Sequence, residues 1–245
     1  MTGAEPALPT GATDRAALAQ LTLAITECRK CPRLVAWREQ VAREKVRRFH
    51  DDDYWARPAP GFGDPDARIL FLGLAPAAHG ANRTGRVFTG DASGDFLWAG
   101  LHAVGLADRA VSRRANDGLT LTDGYVAAAV RCAPPANKPT PVERDTCAPW
   151  LEAELRLLVR LRVIVCLGAF AWDAALRILA GMGDAVPSPR PAFGHGATVV
   201  VGPYTLVGSY HPSQQNTYTG RLTPSMFETV LRQAMALAGV TPVVP

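Results

Sequence analysis

The sequence predicts a three-layer α/β/α fold, in which a central, mainly parallel four-stranded sheet lies between two layers of helices. Four short apolar runs lack strict alternation, as expected of strands covered on both faces. Helical patterns separate these runs, and strands that alternate with helices are typical of a parallel sheet. Ligands of such sheets bind at the carboxyl ends of the strands, so candidate functional residues are sought there.

The elements follow in order along the chain. The predicted strands are RILFLGLA (68–75), YVAAAVRC (125–132), VIVCLG (163–168) and TLVGSY (205–210). The predicted helices run from about Thr13 to Glu27, through DFLWAGLHAVGL to Gly105, from Thr140, from Phe170 to Leu179, and from Thr223 to near Gly239. The helix that begins at Thr140 carries Glu143 three residues later, which is the pattern of a capping box.

Length and composition indicate one domain. The chain has 245 residues, of which 48% are hydrophobic and 20% charged, enough for one sizeable core. We expect a flexible tail over residues 1–12 and a single domain over 13–245. No apolar run approaches the roughly 18 residues of a spanning helix, and the N-terminus lacks a signal peptide pattern, which predicts a cytoplasmic protein. The net charge of +4 is mild for a nucleic-acid binder.

The spacing of the cysteines suggests a metal site. Cys28 and Cys31 form a C-x-x-C pair, Cys132 and Cys147 follow about a hundred residues later, and Cys166 lies in a buried strand pattern. Four thiolates can bind zinc or an iron–sulfur cluster, and spacing alone favours zinc. A redox C-x-x-C is the alternative, but such a pair opens a helix after a strand, whereas this one follows a helix.

A basic segment follows the first cysteine pair. From Arg29 to Arg57 there are nine Lys or Arg against five acidic residues, with aromatic residues between them. Two interpretations remain open, namely a solvated helix face and a surface that contacts a phosphate backbone.

Two loops after predicted strands carry the polar residues. The first, residues 73–95, is rich in Gly, Ala and Pro, lacks a Walker A pattern, and contains His79, Phe88, Asp91 and Asp95. The second, residues 209–227, begins with His211 at the end of the last strand. A histidine at that position of an α/β fold is a candidate functional residue.

Three separated motifs resemble the uracil-DNA glycosylase superfamily, and within it the iron–sulfur branch called family 5, or type B. They are GLAPAAHG…GRVFTGD, HPSQQN…TGRLT and the four-cysteine pattern, and together they cover the chain from about Cys28 to the last helix. Family 4 has an acidic residue where this chain has Leu74, and an Asn where it has Ala128. Both differences favour family 5.

The resemblance implies a DNA repair glycosylase that flips out uracil, hypoxanthine or another deaminated base and hydrolyses its N-glycosidic bond to leave an abasic site. Phe88 then matches the stacking residue and His211 the donor to the leaving base. Asp91 is expected to supply the carboxylate that orients the water or stabilises the sugar cation, and Asp95 is the alternative. The remaining expected substrate-binding residues are Gly73, Ala75, Pro76, Ala77, His79 and Asn216.

The resemblance also implies a DNA surface and a cofactor. Gln215 stands where relatives insert a leucine wedge, so Tyr218 and Leu222 are candidate wedges, and Arg221 and Asn216 are expected to bind phosphate or the opposite strand. The resemblance implies a structural [4Fe–4S] cluster, in place of zinc, bound by Cys28, Cys31, Cys132 and Cys147. The expected partner is DNA with deaminated bases, and the expected oligomeric state is a monomer.

Other functions stay open on the sequence. Neither active-site loop contains a lysine, so a Schiff-base lyase step is not expected. The alternatives are a non-enzymatic nucleic-acid-binding protein whose metal orders a basic arm, and an RNA-processing or redox protein that uses the cluster.

Overall fold

The computed structural model describes residues 12–241. Its helices are α1 (Ala12–Thr26), α2 (Pro32–Glu44), α3 (Ala81–Thr84), α4 (Ala92–Ala103), α5 (Pro141–Leu157), α6 (Ala169–Gly181), α7 (Gln214–Tyr218) and α8 (Pro224–Ala238). Its strands are β1 (Phe62–Gly63), β2 (Ile69–Gly73), β3 (Gly124–Ala128), β4 (Val163–Leu167), β5 (Thr198–Val201) and β6 (Tyr204–Ser209). The predicted tail lies outside the described residues, except for Ala12, which begins α1. No helix among residues 12–241 is both long and apolar enough to cross a membrane.

The sheet confirms the predicted fold class and corrects the number of strands. Its order is β1-β3-β2-β4-β6-β5, and the four central strands are parallel and correspond to the four predicted ones. The prediction of four strands was wrong, because β1 and β5 add antiparallel edges. β1 has only two residues, and β5 alternates between exposed and buried positions at a sheet edge. Neither therefore forms the buried run by which the central strands were recognised.

The strands are buried on both faces, which explains their continuous apolar runs. Alternate strand residues, such as Phe71 and Val165, pack with α4 and α8 in one core. Their neighbours, such as Leu72 and Cys166, pack with α1, α5 and α6 in the other. Cys166 is fully buried there, as predicted for the fifth cysteine.

Helix ends follow the predicted capping. Thr140 Oγ1 accepts a hydrogen bond from the Glu143 N–H, and the Glu143 carboxylate accepts one from the Thr140 N–H, so the predicted capping box is confirmed. Thr223 Oγ1 accepts a hydrogen bond from the Met226 N–H and so caps α8, and Gly239 ends the helix in a left-handed conformation. The second predicted strand is shorter than expected and ends at Ala128. Cys132 therefore lies in the loop after β3 rather than at the end of the strand.

Candidate active site and cysteine site

A cleft of about 250 Å³ lies beyond the carboxyl ends of β2, β3 and β6, at the edge of the sheet where the fold places ligand sites. A water molecule needs only about 15 Å³, so the cleft has room for a larger, ring-shaped group. Its lining residues are Leu74, Ala75, Pro76, Ala77, Val87, Phe88, Asp91, Ser93, Ala128, Asn137, His211 and Ser213. Most of these come from the two loops that the sequence singled out.

Phe88 presents an aromatic ring to the cleft from a strained turn. Its φ of 51° is in the left-handed region, which phenylalanine rarely adopts. The Trp98 indole N–H donates to the Phe88 carbonyl at 2.6 Å and holds this conformation. Gly73 lies against the ring, since a Cβ there would come within 2.7 Å of it. The ring centroid lies 5.9 Å from that of His211, so the two rings share one wall of the cleft.

Asp91 lines the cleft and also caps α4. Its Oδ1 accepts a hydrogen bond from the Gly94 N–H at 2.9 Å. Gly80 leaves room for the other oxygen, because a Cβ there would lie 2.0 Å from Oδ2. Burial raises the pKa of this carboxyl, and the neighbouring Asp95 carboxylate adds to the rise, while the Gly94 and Ser93 N–H groups oppose it. Asp95 itself is absent from the cleft lining and lies 3.8 Å from Arg113.

His211 lies two residues beyond the end of β6 and lines the cleft. Asn216 Nδ2 donates to the His211 carbonyl at 2.9 Å and fixes the backbone there. Neither ring nitrogen of His211 has a protein partner within residues 12–241, so the imidazole is available to a ligand. Burial lowers its pKa to about 4, so the ring is neutral near pH 7 and carries one N–H donor.

Backbone donors belong to two further residues that line the cleft, Ala75 and Ala77. Pro76 has no N–H, but those of Ala75 and Ala77 have no protein acceptor in the described part of the chain. An unpaired N–H beside a cleft is a ready donor to a ligand oxygen. The cleft therefore combines an apolar ring, neutral imidazole, backbone donors and one carboxylate.

Some predicted residues lie outside the cleft lining. His79 accepts or donates one hydrogen bond with the Tyr54 hydroxyl at 2.9 Å, and Asn216 braces the backbone of His211. Gln215, Tyr218 and Arg221 are exposed, and the Arg221 guanidinium stacks on the ring of Tyr210.

Leu222 was wrong as a candidate wedge, because it is fully buried. It directly precedes the N-cap of α8 and lies in the same core as Phe227, the fourth residue of that helix. This is the arrangement of a hydrophobic staple, which explains an apolar residue at the end of a polar loop. Tyr218, by contrast, is 77% exposed.

Sequence reasoning missed three polar residues of the cleft, Ser93, Ser213 and Asn137. Asn137 has a φ of 55°. An Asn in a Pro-rich stretch, PPANKP, was a usable signal, because Asn is one of the few residues that adopt this conformation readily. Asn137 is separated in sequence by about fifty residues from the nearest predicted site residue of the first loop, so no sequence pattern grouped it with that loop.

The four predicted cysteine ligands line one apolar cavity. Cys28 and Cys31 come from the turn between α1 and α2, Cys132 from the loop after β3, and Cys147 from α5. All four are free thiols. Burial raises the pKa of Cys132 to about 11 and that of Cys147 to about 12, so without a metal both would be protonated near pH 7.

Positively charged and N–H groups surround these sulfurs. Arg38 is 1% exposed, and its Nη1 donates to Cys132 Sγ at 2.9 Å, while the Arg131 N–H donates to Cys147 Sγ at 3.3 Å. Arg131 is equally buried and pairs with Glu154. The Nε groups of both arginines are buried without a partner in the described chain. Such donors are what an anionic group in the cavity would satisfy.

The cysteine cavity does not have the geometry of a single-ion site. Among residues 12–241, no three His, Cys, Asp or Glu side chains converge closely enough to hold one metal ion. Zinc requires each sulfur at about 2.3 Å from one point. A set of four thiols is a donor set that zinc sites and iron–sulfur clusters share.

The basic segment is neither wholly solvated nor wholly available to phosphate. Arg38 is buried, and Arg29, Arg33 and Arg57 pair with Glu39, Glu143 and Glu27. Arg43, Arg47 and Arg48 have no ion pair in the part of the chain that the structure describes. This second group, together with Lys30 and Lys45, which also have no ion pair within residues 12–241, remains available for a phosphate backbone.

Comparison with known proteins gives a consistent result. The family model of the uracil DNA glycosylase superfamily matches residues 60–234. The chain is 55% identical over 225 residues to a type-5 uracil-DNA glycosylase of Mycobacterium tuberculosis, which covers 91% of this chain and 82% of that protein. It is 54% identical over 228 residues to one of Thermus thermophilus, covering 93% and 100%. A type-4 enzyme of Archaeoglobus fulgidus is 37% identical over 113 residues, less than half of either chain.

Proposed function

The chain belongs to the uracil-DNA glycosylase superfamily and is a DNA N-glycosylase of DNA repair, and we propose that its cleft receives a flipped deaminated base and hydrolyses the bond to its sugar. One observation carries this proposal, namely that Phe88, Asp91, His211 and the free N–H groups of the loop after β2 line a single cleft. In this reaction the leaving base gains negative charge as the sugar gains positive charge. The ring binds the base, His211 and the N–H groups stabilise the negative charge, and Asp91 stabilises the positive charge.

Phe88 and the backbone donors bind the base. A base in the cleft stacks on the Phe88 ring, and stacking is tolerant of base identity. The Ala75 and Ala77 N–H groups, which have no protein acceptor in the described chain, donate hydrogen bonds to the oxygen atoms of the base. This binding requires no charged side chain. Donors fixed before the reaction stabilise charge that develops in the transition state.

His211 donates to the leaving base as a neutral imidazole. Its pKa of about 4 keeps the ring uncharged near pH 7, so no proton is transferred in the ground state. The N–H donor is strongest where negative charge develops, on a base carbonyl. Asn216, through the His211 carbonyl, fixes the position of this donor.

Asp91 acts on the sugar side. It lines the cleft as the one carboxylate among its lining residues, and it is held in place by the N-terminus of α4. A carboxylate there stabilises the oxocarbenium-like sugar and orients the attacking water. Asp95, which does not line the cleft, has no such position.

The substrate range extends beyond uracil. Where family 4 carries polar residues, this cleft has Leu74 and Ala128. Fewer side chains that recognise uracil alone mean weaker rejection of other deaminated bases, hypoxanthine among them. On the exposed rim, Tyr218 is the wedge that fills the space left by the flipped base, and Gln215 and Arg221 contact the backbone.

The cysteine cavity holds a [4Fe–4S] cluster. Four free thiols that line one cavity, together with the two unpaired guanidinium N–H groups, support this assignment. When bound, the cluster supplies structural cross-links and no electron to the reaction. The free thiols also fit a reducing cytoplasm, where we propose that the enzyme acts as a monomer.

The test is base excision by the purified protein. Duplexes containing uracil, hypoxanthine or a normal base would be incubated with it, and abasic sites then cleaved by alkali. We expect cleavage at uracil and hypoxanthine and none at normal bases. Binding without cleavage of any duplex would contradict the proposal and favour a non-enzymatic DNA-binding role. Iron and sulfide analysis of the same sample tests the cluster, and a single zinc ion would contradict that part alone.

A further inference from the structure

We propose that Asn82 is a positioning residue that couples the cysteine cavity to the active-site cleft. The inference rests on the proposed function, since it concerns the cluster and the base pocket together. The juxtaposition that carries it is a continuous path of contacts from the sulfurs to the loop of residues 74–82, which binds the leaving base.

The path begins at Arg38 on α2. Its guanidinium donates to Cys132 Sγ at 2.9 Å and to the Cys28 carbonyl at 3.2 Å. The helix itself begins directly after Cys31, which is its N-cap residue. Three of the cysteines and a buried arginine therefore fix α2 to the cavity, so the position of α2 depends on what the cavity holds.

The path continues through Asn82. The Arg38 carbonyl accepts a hydrogen bond from Asn82 Nδ2 at 3.2 Å. Asn82 is 1% exposed, its N–H donates to the Ala77 carbonyl at 3.2 Å, and its carbonyl accepts from Ala56 at 3.0 Å. Ala77 lines the cleft. One buried amide thus joins α2, which contacts the cysteine site through Arg38, to the loop of residues 74–82.

The other end of the loop also contacts the cysteine site. Ala75 packs against the apolar cluster formed by Leu34, Val130, Cys132 and Cys147. The Val130 N–H donates to the Leu74 carbonyl at 3.0 Å. The loop is therefore attached to the cavity at both ends, through apolar packing at residue 75 and through a single side-chain amide at residue 82. The second attachment can be removed by one substitution.

Coupling between two sites is reciprocal, which gives a measurement other than catalysis. If the cleft and the cavity are coupled, binding at the cleft slows loss of the cluster. The probe is a duplex with 2′-fluoro-deoxyuridine, which occupies the cleft without being cleaved. The readout is the decay of the visible absorbance of the cluster in the presence of a ferrous-iron chelator, with and without the duplex.

We expect the duplex to slow cluster loss in the wild-type protein by a factor on the order of five or more. Asn82→Ala should hold iron and sulfide as purified, lose most of that protection, and excise uracil roughly ten- to a hundredfold more slowly because the loop is misplaced. The serine side chain of Asn82→Ser is too short to reach the Arg38 carbonyl, so this variant should show the same losses as Asn82→Ala. It replaces the alanine variant in the experiment if that variant does not fold.

The matched control is Arg33→Gln. Arg33 joins α2 to Glu143 on α5 and donates to the Lys138 carbonyl, and it has no hydrogen bond with residues 74–82 in the described chain. It should retain the protection by the duplex and the excision rate per cluster. Equal protection in wild type and Asn82→Ala overturns the inference and leaves the proposed function intact. A wild-type protein with no iron, or with no excision, overturns both together.

Discussion

Asp91→Asn separates the chemistry of the carboxylate from its structural role. Asn and Asp cap helices about equally well, so Asn at position 91 keeps the hydrogen bond from the Gly94 N–H. The free energy of unfolding at pH 7 should therefore not fall. Burial of the native carboxylate raises its pKa, which means that folding disfavours its charge, so removal of the charge leaves stability equal or slightly higher.

The reaction should nevertheless slow strongly. Loss of one preorganised electrostatic contact in a cleft costs about 3–4 kcal/mol, or roughly a hundred- to a thousandfold in rate. We expect this loss in single-turnover excision, about equally for uracil and hypoxanthine, because Asp91 acts on the sugar. The raised pKa places the acid limb of the wild-type rate above the ordinary range of an aspartate, and the variant should lack that limb.

Asp95→Asn is the control, because Asp95 is outside the cleft lining and beside Arg113. Its excision rate should be within about twofold of wild type, since surface substitutions have small effects. A wild-type rate for Asp91→Asn with a slow Asp95→Asn would transfer the carboxylate role to Asp95. Full activity in both would leave catalysis to His211 and the backbone donors.

Three further predictions concern other parts of the site. Phe88→Ala should weaken excision of every accepted base by about 1–3 kcal/mol, measured as single-turnover rates, and an effect on one base only would contradict the stacking role. Cys166→Ala should retain iron, while Cys147→Ala should lose it together with much of the soluble protein, as shown by iron content after purification. The unfolded chain protonates His211 at about pH 6.5 but the folded chain only at about pH 4, so stability falls as the pH drops through that window. Denaturant midpoints should fall less for His211→Gln over the same range.

The sequence predicted what local patterns determine. Four strands buried on both faces and the Thr140 cap were readable because the residues that form them are neighbours in the chain. β5 escaped because an edge strand that is half exposed has no continuous apolar run. Leu222 was misread because an apolar residue beside a polar loop fits both a wedge and a staple, and only its burial distinguishes the two.

The candidate site likewise combines residues that local sequence patterns identified with residues whose place depends on distant contacts. His211, Asp91 and Phe88 belong to the loops that follow β2 and β6, and the carboxyl ends of these strands lie at the same edge of the sheet, so the topology predicts that they share one cleft. Arg38 could not be distinguished from the other basic residues of its segment, because its burial depends on contacts with Cys132, about ninety residues away. Asn137 likewise reaches the cleft through a turn that no periodic pattern marks.

The left-handed backbone of Phe88 has a consequence for how the enzyme tolerates change. A phenylalanine there costs about 1–2 kcal/mol of backbone energy that a glycine would not. Trp98 donates to the Phe88 carbonyl and Gly94 leaves room for that carbonyl, so the fold bears this cost to present one ring to the cleft. Stability and activity therefore oppose each other at this position. A search for heat-resistant variants that screens only for folded protein would therefore tolerate or enrich glycine at position 88, and would return stable proteins that excise bases more slowly.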